Sequence, residues 1–75
     1  MNLIIDIGNT VAKIAVFDND EIVEVIRGSN HSLDCLTMLC NKYKIENGII
    51  ASVITLSNTI RRQLSKLNFK VLELT

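Results

Sequence analysis

The sequence predicts an α/β domain with the element order β-β-β-α-β-α-β and a mixed five-stranded sheet of strand order 3-2-1-4-5. Three observations predict it. Three strand-like apolar runs near the N-terminus are separated only by short polar turns, Gly8-Asn9-Thr10 and Asp18-Asn19-Asp20-Glu21. Two later stretches carry apolar residues at spacings of three and four, the helical period. Each of those stretches is followed by a short apolar strand-like run. Tight turns make antiparallel hairpins, whereas a helical crossover returns the chain to a parallel strand, right-handed by the usual rule.

Residues 2–7 (Asn-Leu-Ile-Ile-Asp-Ile) form the first predicted strand. Apolar residues at both alternating sets of positions imply burial on both faces and a central place in the sheet. Val11 to Phe17 is the second strand, apolar on both faces apart from Lys13. In the polar turn that follows, Asn and Asp tolerate the positive φ of a tight hairpin. Ile22 to Arg27 is the third strand, and Glu24 and Arg27 make it the wetter edge.

Gly28-Ser29-Asn30-His31 interrupts the pattern. Ser32 to Tyr43 then reads as a helix with one stripe of Leu33, Leu36, Leu39, Cys40 and Tyr43, capped by Asn30 or Ser32. Asn47-Gly48 reads as a turn, and Ile49 to Ile54 as a buried parallel strand. Thr55, Ser57 and Asn58 compete as cap of a helix over residues 57–67, whose inner stripe is Ile60, Leu64 and Leu67. Phe69 to Leu74 is the fifth strand.

Seventy-five residues make one domain at most, and a domain this small buries only about 60% of the surface of its unfolded chain. A hydrophobic content of 48% with no proline is too apolar for a disordered segment. The positive mean hydropathy implies more apolar surface than one small core hides, hence a piece of a larger protein or a chain that needs a partner. Eight basic and eight acidic residues cancel, which disfavours a nucleic-acid binder, since that needs a basic excess or stripe. No apolar run approaches the roughly 20 residues that span a bilayer. The N-terminus lacks the basic region and cleavage site of a secretion signal, so the cytoplasm is the expected location. Cys35 and Cys40 are five residues apart, about 140° around a helix, so they read as buried reduced thiols and not as a metal or redox pair.

The chemistry concentrates in Asp6-Ile7-Gly8-Asn9-Thr10-Val11-Ala12-Lys13. With a two-residue loop at Asn9-Thr10, Gly8 faces Val11, Ile7 faces Ala12 and Asp6 faces Lys13. Opposed residues share a face with Cβ atoms about 5 Å apart. A longer or bulged loop breaks that pairing. Each residue type suits a nucleotide phosphate. Gly8 lets backbone approach closely, and successive turn N–H groups form an anion-binding concavity. Asn9 and Thr10 add side-chain donors, and Lys13 adds a compact positive charge. Asp6 suits Mg²⁺, which prefers few carboxylates and several waters. The plainer reading is an Asp6–Lys13 salt bridge beside an ordinary turn. Against it, charges inside apolar central strands are expensive unless paired or used. The stretch is neither a Walker A loop nor a dinucleotide fingerprint, since it precedes a strand and not a helix.

Asp6-x-Gly8-Asn9-Thr10-x-x-Lys13 after Met1-x-Leu3-x-x, with a short strand ending Val16-Phe17-Asp18, resembles the N-terminus of the type III pantothenate kinases. That family belongs to the actin-like ATPase superfamily and is similar to the Bvg accessory factor proteins, described as transcriptional activators. The resemblance covers the whole chain. It implies that residues 1–75 are a single domain, the N-terminal ribonuclease-H-like lobe of a two-lobed kinase whose second lobe is absent. It implies that Gly8, Asn9, Thr10 and Lys13, with Asp6, bind ATP phosphates and that Asp6 also serves Mg²⁺. It further implies phosphorylation of pantothenate by ATP, the first step of coenzyme A synthesis, with a monovalent cation (K⁺ or NH₄⁺) and a homodimer.

Two departures matter. The family's Ser-Val-hydrophobic-Pro segment is matched only in part by Ser52-Val53-Ile54-Thr55, where Thr55 replaces the proline and Ser52 suits the wall of a pocket or the start of a helix. The Gly-x-Asp-Arg segment that supplies pantothenate contacts and the catalytic base has no match, nor does the second phosphate loop. No catalytic residue is therefore expected within the chain, and no phosphoryl transfer by it alone, because that chemistry depends on positioning all partners together. A regulatory protein of the Bvg accessory factor type, and another small-molecule kinase of the superfamily, are the alternatives. Neutral charge and the lack of a helix-turn-helix signal weigh against direct DNA binding.

Overall fold

In the computed structural model of the chain, residues 1–74 are described. Among them the elements run β1 (Asn2–Ile7), β2 (Ala12–Asp18), β3 (Glu21–Gly28), α1 (Leu36–Lys42), β4 (Asn47–Ser52), α2 (Asn58–Ser65) and β5 (Lys70–Leu74). The sheet order is β3-β2-β1-β4-β5. β1 pairs antiparallel with β2 and parallel with β4, so it is central as expected. β2 pairs antiparallel with β3, and β4 parallel with β5. Asn19 takes φ 55° in the second hairpin, the left-handed geometry that an Asn in a tight turn accommodates.

The core lies on one face of the sheet. Leu3, Ile5, Ile7, Ala12, Ile14, Val16 and Ile50 point into it and meet Leu33, Leu36, Leu39, Ile45, Leu56 and Ile60. Both helices therefore cover the same face. The expectation that β1, β2 and β4 are buried on both sides is corrected: β1 alternates strictly between exposed and buried residues. On the open face Ile4, Ile49, Val25, Leu72 and Leu74 are exposed, beside half-buried Phe17 and Ala15. The apolar residues that suggested two-sided burial are present, but within residues 1–74 no element covers the second side.

Helix α1 is shorter than predicted. It begins at Leu36 and not at Ser32, and its N-cap, Cys35, makes no side-chain capping bond. Neither predicted cap serves: Ser32 Oγ donates to Asp34 Oδ1 at 2.7 Å, and Asn30 reaches the first hairpin. Leu33 still enters the core from the preceding turn, which is why its spacing looked helical. At α2, Ser57 wins among the three cap candidates; its Oγ accepts from Ile60 N–H at 3.1 Å. Asn47-Gly48 opens β4 and is not a turn. A Cβ at Gly48 would meet Phe69 and Val71 side chains at 3.3 Å, so here glycine answers to packing and not to turn geometry. Val53 and Ile54 fall outside β4, and Phe69 outside β5.

Glu24 also departs from its edge-strand reading. It points to the helix side, where its Oε1 accepts from Lys42 Nζ at 2.9 Å and Tyr43 Oη at 2.7 Å. Those bonds, Lys42 first, hold its carboxyl below the ordinary carboxylate range, and Glu24 in turn raises Lys42 and Tyr43. The edge strand is thereby fastened to the end of α1.

Candidate functional site

The loop between β1 and β2 has two residues at its tip. Gly8 N–H donates to Val11 O at 2.9 Å, and Ile7 faces Ala12 and Asp6 faces Lys13. The register that the two-residue loop predicted is therefore the one observed. A Cβ on Gly8 would lie 3.1 Å from Val11 O, closer than ordinary contact. Gly8 does not have positive φ, so glycine is needed for the close approach of the two strands.

Three successive carbonyl oxygens at the tip are occupied. Ile7 O accepts from Val53 N–H at 3.1 Å. Gly8 O and Asn9 O accept from Asn30 Nδ2 at 3.1 and 2.9 Å. The N–H groups of Asn9, Thr10 and Val11 have no protein acceptor among the described residues. The tip thus has its negative ends tied down and its positive ends free, which is the electrostatic character of an anion-binding concavity.

Asp6 and Lys13 are opposite and both exposed on the open face. They form no ion pair. The salt bridges among the described residues join the Met1 amino group to Glu46, Lys42 to Glu24 and Arg61 to Glu73. The plainer reading of a structural Asp6–Lys13 bridge is therefore not met. Arg27 is the β3 partner of Lys13, also exposed, so the row across the sheet is Asp6, Lys13, Arg27. Like charges directly opposed are unfavourable unless an anion is shared between them. Sequence reasoning missed Arg27 and Asn30. Arg27 was within reach of the hairpin register; Asn30 was not, because its contact spans 21 and 22 residues and depends on an irregular loop.

Other features do not add to this site. Ser52 Oγ bonds the backbone of Ile54, accepting from its N–H at 3.2 Å and donating to its O at 2.5 Å, and so shapes the approach to α2. A cavity of about 190 Å³ lies on the helix side, lined in part by Ile14, Ile26, Ser32 and Cys35. It is below the roughly 300 Å³ of small-ligand pockets, and neither it nor the larger hollows of about 490 Å³ beside Leu36, Gln63 and Lys66 and about 310 Å³ beside Ile4, Phe17 and Ile49 includes the hairpin tip. Cys35 and Cys40 are free and half-buried, Cys40 in α1 and Cys35 at its cap, and burial pushes both thiols up. Among the described residues no three His, Cys, Asp or Glu side chains cluster as a metal site. Among the described residues no helix is long and apolar enough to cross a membrane.

The family described as type III pantothenate kinase matches residues 2–75. The chain belongs to the type III pantothenate kinase family. A type III pantothenate kinase of Phocaeicola vulgatus is 71% identical over 75 residues, all of this chain and 31% of that protein. Type III pantothenate kinases from two Bacteroides fragilis strains are each 56% identical over 72 residues, 96% of this chain and 30% of theirs. The chain thus spans about a third of the length of these relatives.

Proposed function

We propose that this chain supplies the first ATP-phosphate-binding hairpin of a kinase that transfers the γ-phosphate of ATP to the hydroxyl of pantothenate. One observation carries the reading: at a two-residue loop the Ile7, Gly8 and Asn9 carbonyls are engaged and the Asn9, Thr10 and Val11 N–H groups are free, with Lys13 and Asp6 opposed beside it and unpaired. Phosphoryl transfer asks the protein mainly for positioning and charge stabilisation. The N–H groups of Asn9, Thr10 and Val11 cradle phosphate oxygens, the Asn9 and Thr10 side chains supplement them, and Lys13 neutralises charge.

Asp6 fits Mg²⁺, being an exposed carboxylate with no competing cation on it. When bound, Mg²⁺ neutralises charge on the phosphates; the chain's own residues orient them. A monovalent cation, a homodimeric parent and a cytoplasmic location belong to the same reading and rest on family membership. The chain holds no general base in this scheme, so the acceptor hydroxyl is activated by residues beyond those described.

The test is an assay of the full-length protein with ATP and pantothenate, following phosphopantothenate and ADP. Equimolar formation of both supports the reading. Failure to phosphorylate pantothenate, with ATP turnover on another acceptor or none, overturns it.

A further inference from the structure

We propose that Asn30 is a positioning residue for the nucleotide phosphates, holding the hairpin tip in the conformation that presents its N–H groups. The inference rests on the phosphate-binding reading above and adds the residue that makes the loop competent.

Asn30 lies in the loop between β3 and α1, half-buried, and its Nδ2 donates to Gly8 O at 3.1 Å and Asn9 O at 2.9 Å. Both partners are carbonyl oxygens, so the amide must present its NH₂ group to them; the reverse orientation would set oxygen against oxygen. An ordinary two-residue hairpin closes with the N–H of the fourth turn residue on the carbonyl of the first. Here that bond, Val11 N–H to Gly8 O, is not made, and Gly8 O is taken by Asn30 instead. Val11 N–H therefore stays free beside those of Asn9 and Thr10. Asn30 competes with the turn's own closing bond and keeps one more donor available for an anion.

The loop that carries Asn30 is itself anchored. Ser29 Oγ accepts from His31 N–H at 3.1 Å, and Ser57 Oγ donates to His31 O at 2.7 Å. Gln63 Oε1 accepts from Leu33 N–H at 2.8 Å. Ser57 and Gln63 belong to the cap and body of α2, so the hairpin tip is referenced through Asn30 to a helix packed in the core. Asn30 thus acts on the tip through its carbonyls and leaves the N–H groups to the ligand.

The test uses the full-length protein with Asn30→Asp, which is isosteric but sets a carboxylate against the two carbonyls, and Asn30→Ala, which removes the donor without adding charge. Both are expected to raise the KM for ATP about tenfold, the scale of one or two lost hydrogen bonds. The KM for pantothenate should stay within about twofold, and so should the affinity for adenosine, which lacks phosphates. That split separates positioning of the phosphates from general support of the fold. An ATP KM near that of the unsubstituted protein in both variants overturns the inference, as does adenosine affinity falling in step with that of ATP. Loss of folded structure in both variants overturns it as well, by making Asn30 a stability residue. If the unsubstituted protein itself fails to bind ATP, the phosphate-binding reading falls and takes the inference with it.

Discussion

Asp6 and Lys13 stand opposite one another on a sheet face that holds few other charges, and neither is used in an ion pair. A pair left open in this way is suited to exchange partners for a phosphate and its cation. Lys13→Ala in the full-length protein is expected to weaken ATP binding by about 10- to 100-fold, the 1.5–3 kcal/mol of a hydrogen bond to a charged group. Titration calorimetry with a non-hydrolysable ATP analogue measures it. Asp6→Asn should instead reduce the dependence of ATP binding on Mg²⁺ concentration, read by repeating the titration over a range of Mg²⁺. Glu24 is the contrasting case, a charge used for structure. Its pKa is lowered in the folded chain by Lys42 and Tyr43, so its contribution is present above the ordinary carboxylate value and lost as pH falls through the lowered one. Glu24→Gln is expected to destabilise the protein at neutral pH, with the difference from the unsubstituted protein vanishing in acid. Urea denaturation at the two pH values checks both parts.

At the scale of elements, the hairpin is fixed by neighbours and not only by its own turn. Val53 at the end of β4 and Asn30 before α1 hold its carbonyls, and Ser57 at the start of α2 holds the loop that carries Asn30. Ser57 therefore has two duties, capping α2 through Ile60 N–H and tethering His31 O. Ser57→Ala should cost somewhat more than the ~1 kcal/mol of a helix cap alone. It should also loosen the hairpin tip, seen as faster amide exchange at Gly8. Unchanged stability together with unchanged exchange would show that the tether is idle. Helix α1 is the weaker of the two helices, with seven residues against eight and no side-chain cap, where α2 has Ser57. Its position depends on Leu36 and Leu39 in the core and on the Glu24 bonds at its far end.

At the scale of the molecule, the sheet is half covered. Ile4, Ile49, Val25, Leu72 and Leu74 expose an apolar face on the side opposite the helices. Contiguous apolar surface of this kind drives association, and the edge strands β3 and β5 add unpaired backbone groups. The 75-residue chain is expected to self-associate at micromolar concentration, and Ile49→Lys, on the open face of β4, to shift it toward monomer. Sedimentation velocity tests both; a monomer without the substitution removes the argument. The same chain is expected to bind Mg-ATP weakly or not at all, because on the proposed reading its hairpin supplies only the first set of phosphate contacts; micromolar affinity by calorimetry would contradict this.

The sequence by itself determined the strand order and the central place of β1, whereas the pairing of Asp6 with Lys13 followed only if the first loop had two residues, which the structure decided. The signals for the first two are local: a period of two in the strands, a period near 3.6 in the helices, and turns short enough to permit only antiparallel return. It also carried the family resemblance, since the motif from Asp6 to Lys13 is contiguous. The tertiary structure alone decided what depends on residues distant in the chain. Which sheet face is covered was not legible, because an apolar side chain reads the same whether its partner lies within the chain or not. The start of α1 was misplaced because Leu33 satisfies the helical spacing from a turn. Asn30 looked like a helix cap because local sequence favours that use of an asparagine; folding brings the Gly8 and Asn9 carbonyls to its amide, and the long-range bonds prevail.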